Sequence, residues 1–115
     1  MKYNFPCHIK GDTWPGINSI TIKTSGIPID LTDSKIKITV KPKYDIASPI
    51  FLEFFSEKND ILIQSPPSAG KISILPRIVD LPQGLYNYNL NVEFPTGVKK
   101  TYLKGEWEII SNISI

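Results

Sequence analysis

Apolar and polar residues alternate along residues 85–94, and this alternation constrains the fold more than any other feature of the sequence. Every second position carries a large apolar side chain, in the order Tyr86, Tyr88, Leu90, Val92 and Phe94. The positions between them carry polar side chains, namely Asn87, Asn89, Asn91 and Glu93. Because successive side chains of a strand point to opposite faces of a sheet, the pattern predicts a strand with one buried and one solvated face.

The same period of two recurs in several shorter segments, at residues 20–23, 35–41, 60–64, 71–75, 98–103 and 106–110. Ten prolines and seven glycines interrupt the 115 residues, so few stretches are long enough for three turns of helix. A chain of this length forms one domain with one core. We therefore predict an all-β fold, an immunoglobulin-like antiparallel β-sandwich of seven to nine short strands, as a single domain over residues 1–115.

Local signals give more detailed predictions within this fold. Residues 95–97 (Pro-Thr-Gly) are typical of a tight hairpin, and residues 65–70 are typical of a loop. Gly105 predicts a bulge or kink between the last two strands. Tyr86 follows Gly84 in a pattern similar to a tyrosine corner, in which the hydroxyl bonds nearby backbone. Residues 50–55 are apolar on both faces, which indicates a central strand or one covered by a partner.

Composition and charge argue against several classes of protein. The net charge of +2 arises from 13 basic and 11 acidic residues, without the concentrated basic field of a nucleic-acid-binding protein. A single cysteine leaves no internal disulfide. No apolar run approaches the ~20 residues of a membrane span, and residues 1–8 lack the apolar core of a secretory signal. We expect a protein without a membrane span or signal peptide, made in the cytoplasm.

The sequence shows no constellation that favours catalysis. Cys7 and His8 are neighbours, so on an extended strand they point to opposite faces and do not form a thiol–imidazole pair. We expect Cys7 to be a small apolar residue and His8 to lie at the surface. Glu106 and Glu108 share a strand face, as the two carboxylates of a glycosidase pair would, but their alternation with Trp107 favours a solvent face. We predict no enzymatic activity and no catalytic residue.

Asp30 and Asp33 are the only acidic cluster with any likeness to a calcium site. Calcium loops place several acidic residues at alternate positions before a glycine, and residues 30–34 do not follow that pattern. Side chains of this type also bond their own backbone and shape a turn. We therefore predict a turn, no metal ligand and no cofactor.

Three aromatic residues are candidates for contacts with other proteins. Trp14 lies between two glycines in residues 11–16, where it either anchors a partner or stacks on a sugar if exposed, or fills one end of the sandwich if buried. Phe51 and Phe55 lie on one face of the apolar segment. The simplest explanation of the asparagine row at residues 87–91 is that these side chains lie on a face of the sheet that is exposed to solvent.

Five segments, in their order along the chain, resemble small phage and prophage tail or baseplate proteins, including the N-terminal domain of baseplate upper proteins. They are residues 11–17 (GDTWPGI), 27–32 (IPIDLT), 35–41 (KIKITVK), 81–90 (LPQGLYNYNL) and 97–105 (GVKKTYLKG). The chain differs from this family at Asp33, where members often have glycine, and at Asn89, where aspartate is frequent. It also lacks the long helical linker and the receptor-facing modules of baseplate upper proteins.

The resemblance implies a non-enzymatic structural or assembly protein of a phage or prophage tail. Its partners would be other tail or baseplate proteins or further copies of itself, and its location would be the phage particle. The alternative is a carbohydrate-binding or adhesive immunoglobulin-like module that uses Trp14 or surface tyrosines as stacking platforms.

Overall fold

The computed structural model describes residues 3–44 and 52–110. Within these ranges the chain forms twelve strands and two 3-10 turns, and it contains no α-helix, which confirms the predicted all-β class. The strands are β1 (His8–Ile9), β2 (Thr13–Trp14), β3 (Ile17–Thr21), β4 (Lys23–Thr24), β5 (Ile27–Pro28), β6 (Lys35–Pro42), β7 (Leu52–Phe55), β8 (Ile61–Ile63), β9 (Lys71–Ile74), β10 (Arg77–Ile78), β11 (Gly84–Glu93) and β12 (Lys99–Ile110). The 3-10 turns are Ser56–Lys58 and Pro67–Ala69. Seven of these strands have three or more residues and five have only two.

Two sheets hold the longer strands. The five-stranded sheet has the order β1-β12-β11-β6-β7, and the three-stranded sheet has the order β3-β9-β8. All neighbours in these sheets are antiparallel except β1 and β12, which run parallel. Two short ladders, β2 with β10 and β4 with β5, complete the described strands.

Alternate residues of both sheets form a single apolar core. The buried residues of β11 are those that the sequence pattern predicts: Tyr86, Tyr88, Leu90 and Val92. β6 contributes Ile36, Ile38 and Val40, and β9 of the other sheet contributes Ile72 and Ile74. The intervening residues of β6 and β11 face away from this core, so the five-stranded sheet has one dry and one wet face.

Aromatic rings fill the centre of the core. The Trp14 and Trp107 rings lie 5.0 Å apart between centroids, and Phe5 stacks on Tyr88 at 4.0 Å. Trp107 donates its indole N–H to the Pro6 carbonyl oxygen at 3.0 Å, so its polar atom is satisfied inside the protein. Trp14 is only 2% exposed, so of the two alternatives for this residue, exposed or buried, the buried one is correct.

The predicted kink at Gly105 is wrong, because β12 runs unbroken through it from Lys99 to Ile110. The irregularity lies instead where the pairing with β11 shifts between Leu90 and Asn91, which leaves Tyr102 without a partner residue. Gly105 is needed for a different reason. A Cβ atom there would lie 2.0 Å from the Tyr3 carbonyl oxygen, which packs against this position and accepts a hydrogen bond from the Tyr88 hydroxyl.

Two further expectations need correction. Residues 52–55 form β7, an edge strand of the five-stranded sheet, so the central-strand alternative for residues 50–55 is wrong, while cover by a partner stays a prediction. His8 is buried and Cys7 is exposed, the reverse of the expectation. The reason is that β1 pairs with β12 so that His8 lies opposite the buried Ile109, and its Nε2 sits 3.0 Å from the Asp12 carbonyl oxygen.

The predicted turns are present. Residues 95–97 form the hairpin between β11 and β12, and Gly97 donates its N–H to the Phe94 carbonyl at 2.9 Å. The Tyr86 hydroxyl donates to the Pro82 carbonyl oxygen at 2.6 Å, which is the backbone bond expected from the tyrosine-corner pattern. One Asp30 carboxylate oxygen accepts bonds from the N–H and the hydroxyl of Thr32. These bonds shape the turn and lower the pKa of Asp30, the hydroxyl having the larger effect.

We expect the Gly105→Ala substitution to lower the free energy of unfolding by about 1 to 3 kcal/mol, because the added methyl group overlaps the Tyr3 carbonyl. Urea denaturation of both proteins measures this difference. Lys104→Ala is the control, since that side chain is exposed on the other face of the same strand, and its change should stay within about 0.5 kcal/mol. Equal losses in the two variants would contradict a specific role for Gly105.

Stability should also fall at alkaline pH because of Tyr88. Burial, and less strongly the neighbouring Tyr3, raises the pKa of its hydroxyl above the ordinary value of 10. The folded protein therefore keeps this proton after the unfolded chain has lost it. The stabilisation is complete below pH 10 and is lost above pH 10, as the pH rises toward the folded pKa, by up to about 1.4 kcal/mol per pH unit.

Thermal denaturation at pH values below and above 10 tests whether Tyr88 causes the loss of stability at alkaline pH. The Tyr88→Phe variant should be less stable at neutral pH, since it loses the bond to Tyr3, but its stability should fall less steeply above pH 10. Tyr44→Phe is the control because Tyr44 is 81% exposed, and it should keep the slope of the parent protein. Parallel curves for the parent and Tyr88→Phe would contradict the assignment.

Candidate functional site

The solvent-facing side of β6, β11 and β12 is a broad polar surface, which we call the outer sheet face. It consists of the residues that alternate with the core positions of these strands. They are Lys35, Lys37, Thr39 and Lys41 of β6, Leu85, Asn87, Asn89, Asn91 and Glu93 of β11, and Lys99, Thr101, Lys104, Glu106 and Glu108 of β12, joined by Lys43 directly after β6. Because the sheet beneath them is packed on its other side, these groups are held at fixed spacing on a rigid support.

The strand register sets which side chains are neighbours on the outer sheet face. Asn87 lies between Lys41 on β6 and Glu106 on β12. In the next row Asn89 lies between Thr39 and Lys104. The asparagines therefore form the central column of the face, with a mainly basic column on β6 and a mixed column on β12.

Ion pairs within the protein occupy the margins of this face. Lys37 binds Glu53 on β7 at 2.8 Å, and Lys43 reaches across β11 to Glu106. The hydrogen bond to Glu106 raises the pKa of the Lys43 ammonium group. Lys35 and Lys99 make longer pairs of 3.8 and 3.9 Å with Glu57 and Glu93. Exposed pairs of this kind contribute little to stability, so their main effect is to neutralise the margins.

The centre of the outer sheet face is different, because its polar groups lack partners within the described part of the chain. The side chains of Lys41, Asn87, Asn89 and Lys104 make no hydrogen bond or ion pair with other described residues, and neither does Glu108 beside them. A depression of about 360 Å³ lies here, lined by Thr39, Lys41, Pro42, Asn87, Tyr88 and Asn89. This centre can accept hydrogen bonds, donate them and attract carboxylates.

Phe55, one of the three predicted contact residues, lies at the margin of the same face. Its ring is partly exposed and sits below two ammonium groups, with Lys58 Nζ at 4.7 Å and Lys37 Nζ at 5.6 Å from the ring centroid. It lines a groove of about 300 Å³. Because the lysines already cover the ring, Phe55 offers a partner only part of its apolar surface.

The structure does not bring the three predicted contact residues together. Trp14 is buried, 5.6 Å from the ring of Phe54 and on the core side of the sheet that carries Phe55 on its other side. Phe51 lies outside the described residues. The burial of Trp14 removes one of the two kinds of stacking platform behind the carbohydrate-binding alternative; the other kind, surface tyrosines, is present, with Tyr44 81% exposed.

The free edge of β7, a second candidate for contacts, is closed by side chains. Asp60 accepts the Phe55 N–H at 3.0 Å, and Arg77 donates to the Glu53 carbonyl at 3.2 Å. The Asp60 N–H also bonds the Phe55 carbonyl at 3.0 Å. Arg77 is held in place by the Phe54 ring, 4.9 Å from its guanidinium carbon, and lies 4.0 Å from Asp60. These bonds occupy groups that an added strand would need.

The groups considered for catalysis and metal binding are not assembled into a site. Cys7 and His8 face opposite ways, and Glu106 is paired with Lys43. Within residues 3–44 and 52–110, no group of three or more His, Cys, Asp or Glu side chains is placed to hold a metal ion. In the same ranges no helix has the length and apolar character of a membrane span.

Comparison with known proteins gives no relative on which to base an assignment. No protein-family model, curated protein or solved structure matches the chain significantly.

Sequence reasoning missed two features of this region. It noticed the asparagine row and the alternation of residues 35–41 separately, but it did not predict that β6 and β11 are neighbours, so it did not combine them. It also missed Asp60 and Arg77, whose role depends on the edge position of β7. No local pattern signals either feature, because both depend on pairing between distant segments.

We expect Asp60→Ala to lower the free energy of unfolding by about 1 to 2 kcal/mol, because the Phe55 N–H loses its acceptor at the sheet edge. Hydrogen exchange of the Phe55 amide should accelerate more than that of other β7 amides. Asp80→Ala is the matched control, since the partner of the Asp80 side chain among the described residues is the exposed Lys10, and we expect a change within about 0.5 kcal/mol. Unchanged exchange at Phe55 would contradict the edge-closing role of Asp60.

Proposed function

We propose that this chain is a non-enzymatic structural protein of a phage or prophage tail, associated with the baseplate and acting through protein–protein contacts. The observation that carries the proposal is the order of the five segments that resemble this family, which extends over residues 11–105. The described structure adds that these segments belong to one continuous β-rich scaffold with a broad polar face.

The positions of the resembling residues favour a shared scaffold over a chance match. Gly16 has a φ of +73° and packs so closely that a Cβ atom would lie 2.1 Å from the Ile74 carbonyl oxygen. Trp14 fills the aromatic centre, and the Tyr86 hydroxyl bonds the backbone of Pro82. Each of these residues meets a packing or backbone requirement, so a protein with the same scaffold would need the same residue types.

We propose further that the scaffold is an immunoglobulin-like β-sandwich of the variable type. In that topology the strands C, F and G share a sheet with C′, and B, E and D share the other. The longer strands here have a matching order, with β6, β11, β12 and β7 in one sheet and β3, β9 and β8 in the other. The tyrosine-corner bond of Tyr86 supports the same assignment, since it lies near the start of the strand corresponding to F.

Under this proposal, the working part of the protein is a contact surface and not a reaction centre. Trp14 is in the core and the β7 edge is closed, so neither presents a surface to partners. The outer sheet face is exposed and polar, and its central groups lack intramolecular partners in the described chain. Tail and baseplate proteins, or further copies of the chain, would bind there.

Particle analysis tests the proposed function. Phage particles induced from the bacterium that encodes the chain are purified on a density gradient, and peptides of each fraction are identified by mass spectrometry. We expect the chain to sediment with tail proteins and to stay with them after a salt wash. A strain lacking the gene should produce particles without complete tails.

The matched control is a strain that carries Lys71→Glu, a substitution on an exposed position of β9, which should still assemble particles. Recovery of the chain only in the soluble fraction, together with normal infective particles from the deletion strain, would reject the proposed function.

A further inference from the structure

We propose that the outer edge of β3 and β4 binds an extended acidic segment of another protein, which adds a strand to the three-stranded sheet. We call residues 20–24 along this edge the open edge. The inference goes beyond the proposed function and does not depend on it, because it concerns backbone groups of a different sheet. In strand addition, main-chain hydrogen bonds supply the affinity and the flanking side chains supply the specificity.

The hydrogen bonds of Ile22 define the direction in which the open edge points. Ile22 donates its N–H to the Gly70 carbonyl oxygen at 2.7 Å, and its own carbonyl accepts the Ile29 N–H at 3.0 Å. Both partners lie on the inner side, where β9 pairs with β3 and β5 pairs with β4. Because the backbone groups of successive strand residues point to opposite sides, those of Thr21 and Lys23 point outward.

These outward groups are free in the part of the chain that the structure describes. There, β3 pairs with β9 alone and β4 with β5 alone, and no backbone bond reaches the N–H or C=O groups of Thr21 or Lys23. Lys23 is exposed and Thr21 is partly exposed, so another molecule can reach this row. A row of unpaired N–H and C=O groups is a template for a further strand.

The place beside β3 is open because the N-terminal segment pairs elsewhere. In the sandwich topology proposed above, β3 corresponds to strand B, whose outer neighbour is strand A. Here Tyr3 and Phe5 donate their N–H groups to the carbonyls of Lys104 and Glu106 on β12, and β1 continues this pairing. Residues 3–9 therefore belong to the five-stranded sheet and do not cover β3.

The side chains beside the open edge define the chemistry of the segment that fits it. Ile20 and Ile22 are buried on the core side, so we expect apolar side chains on that side of the added strand. Thr21 and Lys23 alternate with them on the solvent side. The Lys23 ammonium group has no ion-pair partner among the described residues, and a carboxylate directly across from it on the added strand would provide one.

A second copy of this chain fits the open edge poorly. Residues 17–24 include no acidic side chain, so two copies paired along this edge would bring no carboxylate to Lys23. The register shift of β3 between Ile17 and Ile20 also ends the regular part of the edge. An edge this short falls far below the roughly 800 Å² that each partner buries in a stable dimer, but it suffices for a short peptide segment.

The other outer strand of the same sheet, β8, is less suited to an acidic segment. It has three residues, Ile61–Ile63, and directly follows Asp60. The Asp60 carboxylate would repel acidic side chains, whereas Lys23 attracts them. The charge of the added segment therefore distinguishes the two edges.

Fluorescence anisotropy with a labelled synthetic peptide tests the proposal. The probe is Thr-Val-Glu-Val-Glu-Val-Thr, whose valines suit the core side and whose glutamates suit the solvent side. We expect saturable binding in the micromolar range. One companion peptide has lysine in place of both glutamates. A second carries N-methyl groups on both glutamate amides, which removes the donors for the Thr21 and Lys23 carbonyls. Each companion should bind about tenfold more weakly or worse.

Two substitutions in the chain locate the binding. Thr21→Pro removes one outward N–H but none of the inward bonds, so it should weaken binding of the probe about tenfold. Lys23→Glu should reverse the preference, so that the lysine peptide binds better than the glutamate peptide. Lys100→Glu is the matched control, because it makes the same charge change at an exposed position of β12 and should leave binding unchanged. Thermal denaturation checks that each variant is folded.

Several results would overturn the proposal. One is the lack of saturable binding of the glutamate peptide at low salt up to about 1 mM. Others are equal binding of the N-methylated peptide, or an unchanged preference in Lys23→Glu. A dimer of the parent protein in sedimentation equilibrium that is lost in Thr21→Pro would assign the open edge to a second copy. None of these results affects the particle experiment, so the two proposals fail separately.

Discussion

The contact between the Trp14 and Trp107 rings is the interaction on which the rest of the structure depends. It joins the short β2 ladder to the last strand, and Phe5 and Phe54 lie against the same pair of rings. Aromatic side chains bury large areas and pack in defined orientations, so this cluster fixes the positions of segments that share few backbone hydrogen bonds. This cluster holds the N-terminal segment, both edges of the five-stranded sheet and the β2–β10 ladder in place.

Once the sheet is held in this way, its edges are protected by different means. At one edge the N-terminal segment follows β12, with Tyr3 and Phe5 bonding Lys104 and Glu106 through backbone N–H groups. At the other, Asp60 and Arg77 occupy backbone groups of β7. Protected edges direct contacts with other molecules to the faces of a sheet. The polar outer face, with its asparagine column, is therefore the surface where we look for function.

The sequence predicted what depends on neighbouring residues and missed what depends on distant ones. Alternation in residues 85–94 correctly identified Tyr86, Tyr88, Leu90 and Val92 as buried, because the period of a strand is a local property. His8 was assigned to the surface because nothing near it shows that β1 pairs with β12. Gly105 was recognised as unusual, but its reason, the Tyr3 carbonyl, lies about a hundred residues away in sequence. The centre of the outer sheet face needed the register of β6 on β11 in the same way.

The arrangement of the five-stranded sheet also has a consequence for synthesis on the ribosome. Its central strand, β11, begins only at Gly84, and β1 pairs with a strand that ends at Ile110. A nascent chain can pair β6 with β7 and can complete the three-stranded sheet once Ile74 has been made, but the central strand β11 and the neighbour of β1, β12, are made only after that. Completion of the core is thus a late, non-local event. Until then the core-facing isoleucines of β6 are exposed to solvent or bound by a chaperone.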